Sequence, residues 1–254
     1  MAYKIIVNDL ATTYADDGAG PVLLLLHGWS SSAVAFQSLA AGLLGSFRVI
    51  RLDLPGFGGS EQPKSDWHIQ DYAAFVQAFL AKLGVGQVFA VVGHSFGGRV
   101  AIKALANGLL RPAKLVLIDS GGVRESQSAR NRLLKIVAKT GKVVTSLPGL
   151  RALQGGLRKK LYARVGSTDY IEAGGMKQIF LNTINEDLQA DATHITTPTL
   201  IVWGQDDTTT PISNGQLLAN AIKGATMVVI PDAGHFVFLD QPQQTLDHLK
   251  QFLT

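Results

Sequence analysis

The sequence predicts an α/β fold built on a mostly parallel sheet of eight strands with helices on both faces, and three observations carry that reading. Short apolar runs alternate with stretches of helical spacing along most of the chain. Several of those runs, such as "VLLLL" at 22–26, are apolar without interruption, as in strands buried on both faces. Finally, 254 residues with 46% hydrophobic content suffice for one large domain with a sizeable core.

The elements follow in order. "YKIIV" (3–7) and "ATTYA" (11–15) read as two early strands, and "PVLLLLH" (21–27) as a central one. "AVAFQSLAAGLL" (33–44) has helical spacing, and "FRVIRLDL" (47–54) is a strand. "IQDYAAFVQAFLAKLG" (69–84) is an amphipathic helix closed by Gly84. "QVFAVVG" (87–93), "SFGGRVAIKALANG" (95–108) and "KLVLID" (114–119) continue as strand, helix, strand. Beyond residue 190, "PTLIVWG" (198–204) and "ATMVVIP" (225–231) are strands, each followed by a helix, at 213–224 and 241–254. Such alternation implies parallel pairing with helices on both faces.

Residues 121–190 break the rhythm, with helical patterns such as "ARNRLLKIVAKTGKVV" and "GGMKQIFLNTINEDL" but no strand. The expected organisation is therefore a core of residues 1–120 and 191–254 and a helical cap over 121–190. The cap is expected over the carboxyl ends of the strands, where open α/β sheets place their sites.

The net charge of +4 is uneven. Residues 121–190 hold twelve Lys/Arg against five Asp/Glu, and the remainder is slightly acidic. Nucleic-acid binding by the whole protein is thus not indicated. No cysteine is present, which excludes disulfides and thiolate chemistry. The N-terminal stretch lacks the apolar region of a secretory signal, and no apolar run approaches a membrane span. A soluble cytoplasmic protein with no membrane association is the expectation.

"VVGHSFGGRV" (91–100) contains G-x-S-x-G, Gly93 to Gly97, between a strand and a helix. In that context the serine sits on a sharp turn, its Oγ lifted into a cleft and the following helix offering N–H groups to developing negative charge. A serine N-cap in a glycine-rich turn is the plainer reading, but it explains neither the symmetric glycines nor the strand in front. A phosphate loop would need G-x-x-x-x-G-K-[ST], which is absent. Ser95 is therefore the candidate nucleophile.

A serine hydroxyl needs a base and an orienting carboxylate. Of six histidines, His27 lies upstream, His94 adjoins the serine, His68 and His194 lie in polar loops, and His248 lies in the last helix. His235, in "IPDAGHFVFLDQP", follows the last strand at the right end of the sheet and is the candidate base. For the acid, Asp206 and Asp207 in "LIVWGQDDTTTP" and Asp119 in "VLIDS" all end strands, and spacing leaves the three open. Asp53, in "RLDLPGFGGS", reads as an anchor for its own loop.

With "LLHGW", "LDLPGFGGS", "VGHSFGG", "LIVWGQDDTTTP" and "DAGHFVFLDQP" in that order, the chain resembles the α/β-hydrolase fold superfamily over nearly its whole length, in its serine-nucleophile, carboxylesterase-like branch. The resemblance implies a catalytic triad of Ser95, Asp207 and His235, the acid lying three residues after Gly204 and four before Pro211. It also implies an oxyanion hole made by the backbone N–H groups of Trp29 and Phe96, whose side chains are then free to line an acyl pocket. H-G-W in place of H-G-G-G disfavours the lipase subfamilies with bulky alcohol groups.

The reaction so implied is hydrolysis of a small-molecule carboxylic ester through an acyl-enzyme. Alternatives within the fold are carbon–carbon bond hydrolysis, disfavoured because Phe236 stands where those relatives carry tryptophan, and perhydrolysis. Outside catalysis, a ligand receptor with little turnover is the competing class. The basic segment reads first as ordinary solvated helix faces. Its sharper reading is recruitment of an anionic ester or an acidic carrier protein, since the chain also resembles the pimeloyl-carrier-protein methyl esterases in its H-G-W and L-P-G-F-G segments. It departs from them at His94 and Phe96. No cofactor and no metal are implied, because dinucleotide fingerprints and metal-ligand spacings are lacking.

Overall fold

The computed structural model describes residues 2–123 and 173–254. Two compact units are present, Met1–Arg124 with Gln178–Thr254, and Glu125–Lys177. Most of the segment expected to form the cap, including the helical pattern at 129–144, lies outside the described residues. Of the second unit, only residues 173–177 are described, with one helical turn at Gly174–Met176.

The first unit contains a single sheet of eight strands. These are β1 (Ala2–Val7), β2 (Leu10–Asp17), β3 (Val22–Leu26), β4 (Arg48–Leu52), β5 (Ala90–His94), β6 (Lys114–Ile118), β7 (Thr199–Gly204) and β8 (Thr226–Ile230). Their order is β1-β2-β4-β3-β5-β6-β7-β8. β1–β2 and β2–β4 pair antiparallel, and every other pairing is parallel. The sheet is mixed, with its parallel part holding six of the strands.

Burial explains which strands read as continuous apolar runs. All residues of β5 and β7 are buried, and β3 is buried from Leu23 onward. β1, at the sheet edge, keeps only Val7 buried. On one face, Leu23, Leu25, Val49, Val92, Val116 and Val202 meet Leu39 of α1 (Gln37–Ala41), Leu249 and Leu253 of α8 (Pro242–Leu253), and Phe36. The other face carries α2 (Ile69–Lys82), α3 (Phe96–Ala106) and α6 (Ile212–Ala221). The helix expected at 33–44 is broken into a 3₁₀ turn, Ala33–Phe36, and the five residues of α1.

The chain returns to the first unit through α4 (Lys177–Asn185) and α5 (Gln189–Ala192). Two cations of α3 fasten this segment. The half-buried Arg99 donates from Nη1 to the carbonyls of Thr183 and Glu186, at 3.1 and 2.9 Å. Lys103 pairs with Glu186 and Asp191, at 2.8 and 2.7 Å. Among the described residues, no helix is long and apolar enough to cross a membrane.

Parallel register carries the strand ends to one edge. Leu26 stands beside Gly93, His94 beside Ile118, and Gly204 beside Ile230. Between β5 and α3 the chain turns at Ser95, whose φ of 49° and ψ of −111° lie outside the common regions for a side-chain-bearing residue. The turn requires close backbone approach. A Cβ on Gly93 would lie 2.7 Å from the Gly97 carbonyl oxygen, and one on Gly97 would collide with the Leu26 carbonyl. Gly97→Ala is therefore expected to destabilise the protein by about 1–3 kcal/mol, the usual cost of overpacking a site that cannot relax. A lowered urea midpoint at unchanged slope would show it, and an unchanged midpoint would refute the close packing.

Candidate active site

The turn after β5 holds Ser95, and residues from the ends of β7 and β8 converge on it. His235 Nε2 lies 3.0 Å from Ser95 Oγ, and His235 Nδ1 lies 2.8 Å from Asp207 Oδ2. The sequence separations are 140 and 28 residues, so the fold assembles this row. The Asp207 side chain is fully buried, whereas Asp206 is exposed and its backbone N–H bonds the Ala233 carbonyl at 2.8 Å. Adjacent carboxylates thus point into different surroundings.

Asp207 sits in a local cradle. Its Oδ1 accepts from the amides of Thr209 and Thr210, at 2.7 and 2.9 Å, the turn in which an aspartate bonds its own following backbone. The Thr210 hydroxyl adds a 2.6 Å bond to Oδ2 and lies 3.2 Å from His235 Nδ1. Burial opposes ionisation, but the bonds from His235 and Thr210 outweigh it and hold the carboxyl below the usual carboxylate range. Thr210 was not among the residues singled out from sequence. Its signal was available in the Asp-x-x-Thr spacing of that turn.

The other candidates fall elsewhere. His27 donates through Nδ1 to the Gly28 carbonyl at 2.7 Å and accepts the Leu54 amide on Nε2 at 3.0 Å, so both ring nitrogens serve the backbone. Burial lowers its pKa and keeps it neutral. Asp53 accepts from the amides of Ala33 and Gly59, at 2.6 and 2.8 Å, as an anchor of its loop. His68 is exposed at the start of α2, His194 is exposed, and His248 lies within α8.

Asp119, the competing acid, is fully buried just past β6. Its Oδ1 accepts the Gly204 amide at 2.8 Å and its Oδ2 the Val237 amide at 3.3 Å. Both oxygens therefore brace the chain around His235 and do not bond its ring. Burial first, and Asp207 second, push its carboxyl up to about 8.

Trp29 and Phe96 form part of an aromatic wall. The Trp29 ring centroid lies 4.8 Å from Phe57, 5.3 Å from Phe96 and 5.0 Å from Phe180. Its indole N–H is buried and has no hydrogen-bond partner among the described residues. Neither the Trp29 nor the Phe96 backbone amide donates to another described residue. Among the described residues, no group of three or more His, Asp or Glu is arranged to hold a metal ion.

Fold and motifs agree with known proteins. The sequence profile of the Alpha/beta hydrolase family matches residues 23–248. The chain belongs to this family. It is 27% identical to the pimeloyl-(acyl-carrier protein) methyl ester esterase of Nitrosomonas europaea, over 89% of this chain and 93% of the relative. It is 24% identical to the 2-(acetamidomethylene)succinate hydrolase of Mesorhizobium japonicum, over 100% of this chain and 95% of the relative. Among solved structures, a bacterial membrane phospholipase A matches with a TM-score of 0.77 at 26% identity, covering 100% of this chain and 85% of that one. The reactions of these alpha/beta hydrolases differ, so the family leaves the bond that is cleaved open.

The bracing role of Asp119 has a pH signature. Its pKa in the fold lies above the unfolded value, so its contribution to stability is complete below about pH 4 and fades as pH rises through about 8. Asp119→Asn turns an amide toward one of two N–H donors and is expected to cost about 1–3 kcal/mol in acid. The gap to wild type should narrow as urea midpoints are followed from pH 5 to pH 9. A gap of constant size would refute the shift.

Proposed function

We propose that this chain is a serine hydrolase that cleaves small carboxylic esters through an acyl-enzyme intermediate. The observation that carries the proposal is the continuous row Ser95 Oγ, His235 Nε2, His235 Nδ1, Asp207 Oδ2, with links of 3.0 and 2.8 Å. In this reading Ser95 Oγ attacks the ester carbonyl as His235 Nε2 takes the hydroxyl proton. The resulting oxyanion meets the amides of Phe96 and Trp29, each such donor contributing about 10²–10³-fold to turnover. His235 then gives its proton to the departing alcohol, leaving the acyl group on Ser95. Water attacks next with His235 again as base, which releases the acid and restores the serine. Asp207, kept ionised by its bonds with His235 and Thr210, holds the Nδ1–H tautomer and stabilises the imidazolium.

The aromatic wall of Trp29, Phe57, Phe96 and Phe180 supports a compact acyl group beside the serine. The Trp29 N–H, unpaired among the described residues, gives an acceptor on that group a partner. Residues 121–190 are proposed as the cap, and their basic excess, together with a relative named for an acyl-carrier methyl ester, supports an anionic ester or carrier as the natural substrate. On that reading kcat/KM for anionic esters falls steeply with salt, whereas flat dependence leaves the basic residues as solvated faces.

A p-nitrophenyl ester series of rising acyl length tests the proposal. Wild type is expected to turn over repeatedly, with short acyl groups preferred. Ser95→Ala should lose at least about 10³-fold in kcat, and Asp207→Asn about 10⁴-fold through the wrong tautomer. Retained turnover in Ser95→Ala would overturn the assignment, and a single stoichiometric burst without further turnover would favour a receptor.

A further inference from the structure

His94 precedes the proposed nucleophile in the chain and has no part in the proton transfers above. It is nonetheless buried, and its ring is packed tightly. Its centroid lies 5.0 Å from Phe236, 5.0 Å from Phe238 and 6.5 Å from Phe36. A Cβ on Gly28 would come within 2.9 Å of His94 Nδ1, so the glycine of H-G-W makes room for this ring. Its one side-chain hydrogen bond among the described residues is specific. Nε2 lies 2.7 Å from the backbone carbonyl oxygen of His235. A carbonyl can only accept, so Nε2 carries the proton and Nδ1 does not.

We infer that His94 is a positioning residue, which ties the backbone of His235 to the turn that carries Ser95 and so sets the reach of His235 Nε2 to Ser95 Oγ. The inference rests on the ester-hydrolase reading of the site. Along the chain, base and nucleophile are 140 residues apart. Through His94 they are joined by one peptide bond and one hydrogen bond, which closes a short ring with the 3.0 Å contact between them. Among the described residues, no other group donates to the His235 carbonyl.

The ring must stay neutral to serve this purpose. Its centroid is 4.9 Å from that of His235, which becomes an imidazolium during turnover, and a second cation there would oppose that charge. Burial first, and the neighbouring His235 second, push the His94 pKa down to about 3, with Asp207 opposing and His27 adding to the effect. The tether therefore persists at any pH well above about 3. An apolar residue could fill the same space but would supply no donor.

Three variants separate tethering from packing. His94→Gln keeps an N–H donor at similar reach, whereas His94→Leu and the more adaptable His94→Met keep apolar bulk without one. With a short-chain p-nitrophenyl ester, the two donor-free variants are expected to lose about 10–100-fold in kcat with KM within about twofold, because misplacing a reacting group by about 1 Å costs that much. His94→Gln should recover to within about fivefold of wild type. A second readout needs no substrate. The downfield proton resonance of the His235 Nδ1–Asp207 bond should broaden or shift in the donor-free variants and persist in His94→Gln. Wild-type kcat in a folded His94→Leu or His94→Met protein would overturn the inference. So would equal losses in all three variants, which packing alone would produce. If wild type hydrolyses no ester in the series, the ester reading fails, and the imidazole resonance still decides the tether.

Discussion

A chain that leaves β5 and turns at once into α3 must pass so close to β3 that Gly97 has no room for a side chain beside the Leu26 carbonyl. That close passage is the constraint on which the rest of the site depends. It forces Ser95 into a backbone conformation that side-chain-bearing residues rarely adopt. It leaves the amide of Phe96, the residue after Ser95 and the first of α3, without a partner among the described residues. It also fixes His94 at the last position of a fully buried strand, within reach of the His235 carbonyl. The strain is tolerable because the surrounding strands are buried on both faces and cannot relax around it.

Polar groups buried near this turn are satisfied largely by backbone partners. His27 joins the Gly28 carbonyl to the Leu54 amide, Asp53 holds the Ala33 and Gly59 amides, and Asp119 holds those of Gly204 and Val237. Each ties together loops that follow different strands. Parallel strands leave their loops at one edge without mutual hydrogen bonding, so side chains must supply the bonds between loops. Three acidic residues on these loops consequently differ in chemistry. Asp207 is held ionised by several donors, Asp119 is driven toward its neutral form by burial, and Asp206 lies in solvent.

Much of the fold was legible because strands buried on both faces leave uninterrupted apolar runs, as in β3, β5 and β7. The helix expected at 33–44 was not continuous, and its first amide, that of Ala33, is held by the Asp53 carboxylate from 20 residues away, a bond of which local spacing holds no trace. Helix α7 (Val237–Asp240) was missed because four residues are too few to show a period. Ser95 and His235 were legible because glycine spacing and a position after a strand are local properties. Among Asp119, Asp206 and Asp207, residue reading left the acid open, since all three end strands. Thr210 escaped notice although the Asp-x-x-Thr spacing carried its signal, and the partner of His94 escaped because a ring reveals a function only through what it touches.

By itself, the sequence determined the strand–helix alternation, the sharp turn at Ser95 and the set of titratable residues gathered at strand ends. These follow from periodicity and from glycine, which act over a few residues. The motif resemblance pointed to Asp207 as the partner of His235, but the tertiary structure alone decided that Asp119 braces backbone amides and that His94 binds a carbonyl 141 residues away. Those outcomes depend on the relative placement of loops from different strands, and sheet register sets that placement over distances along the chain that no local pattern encodes.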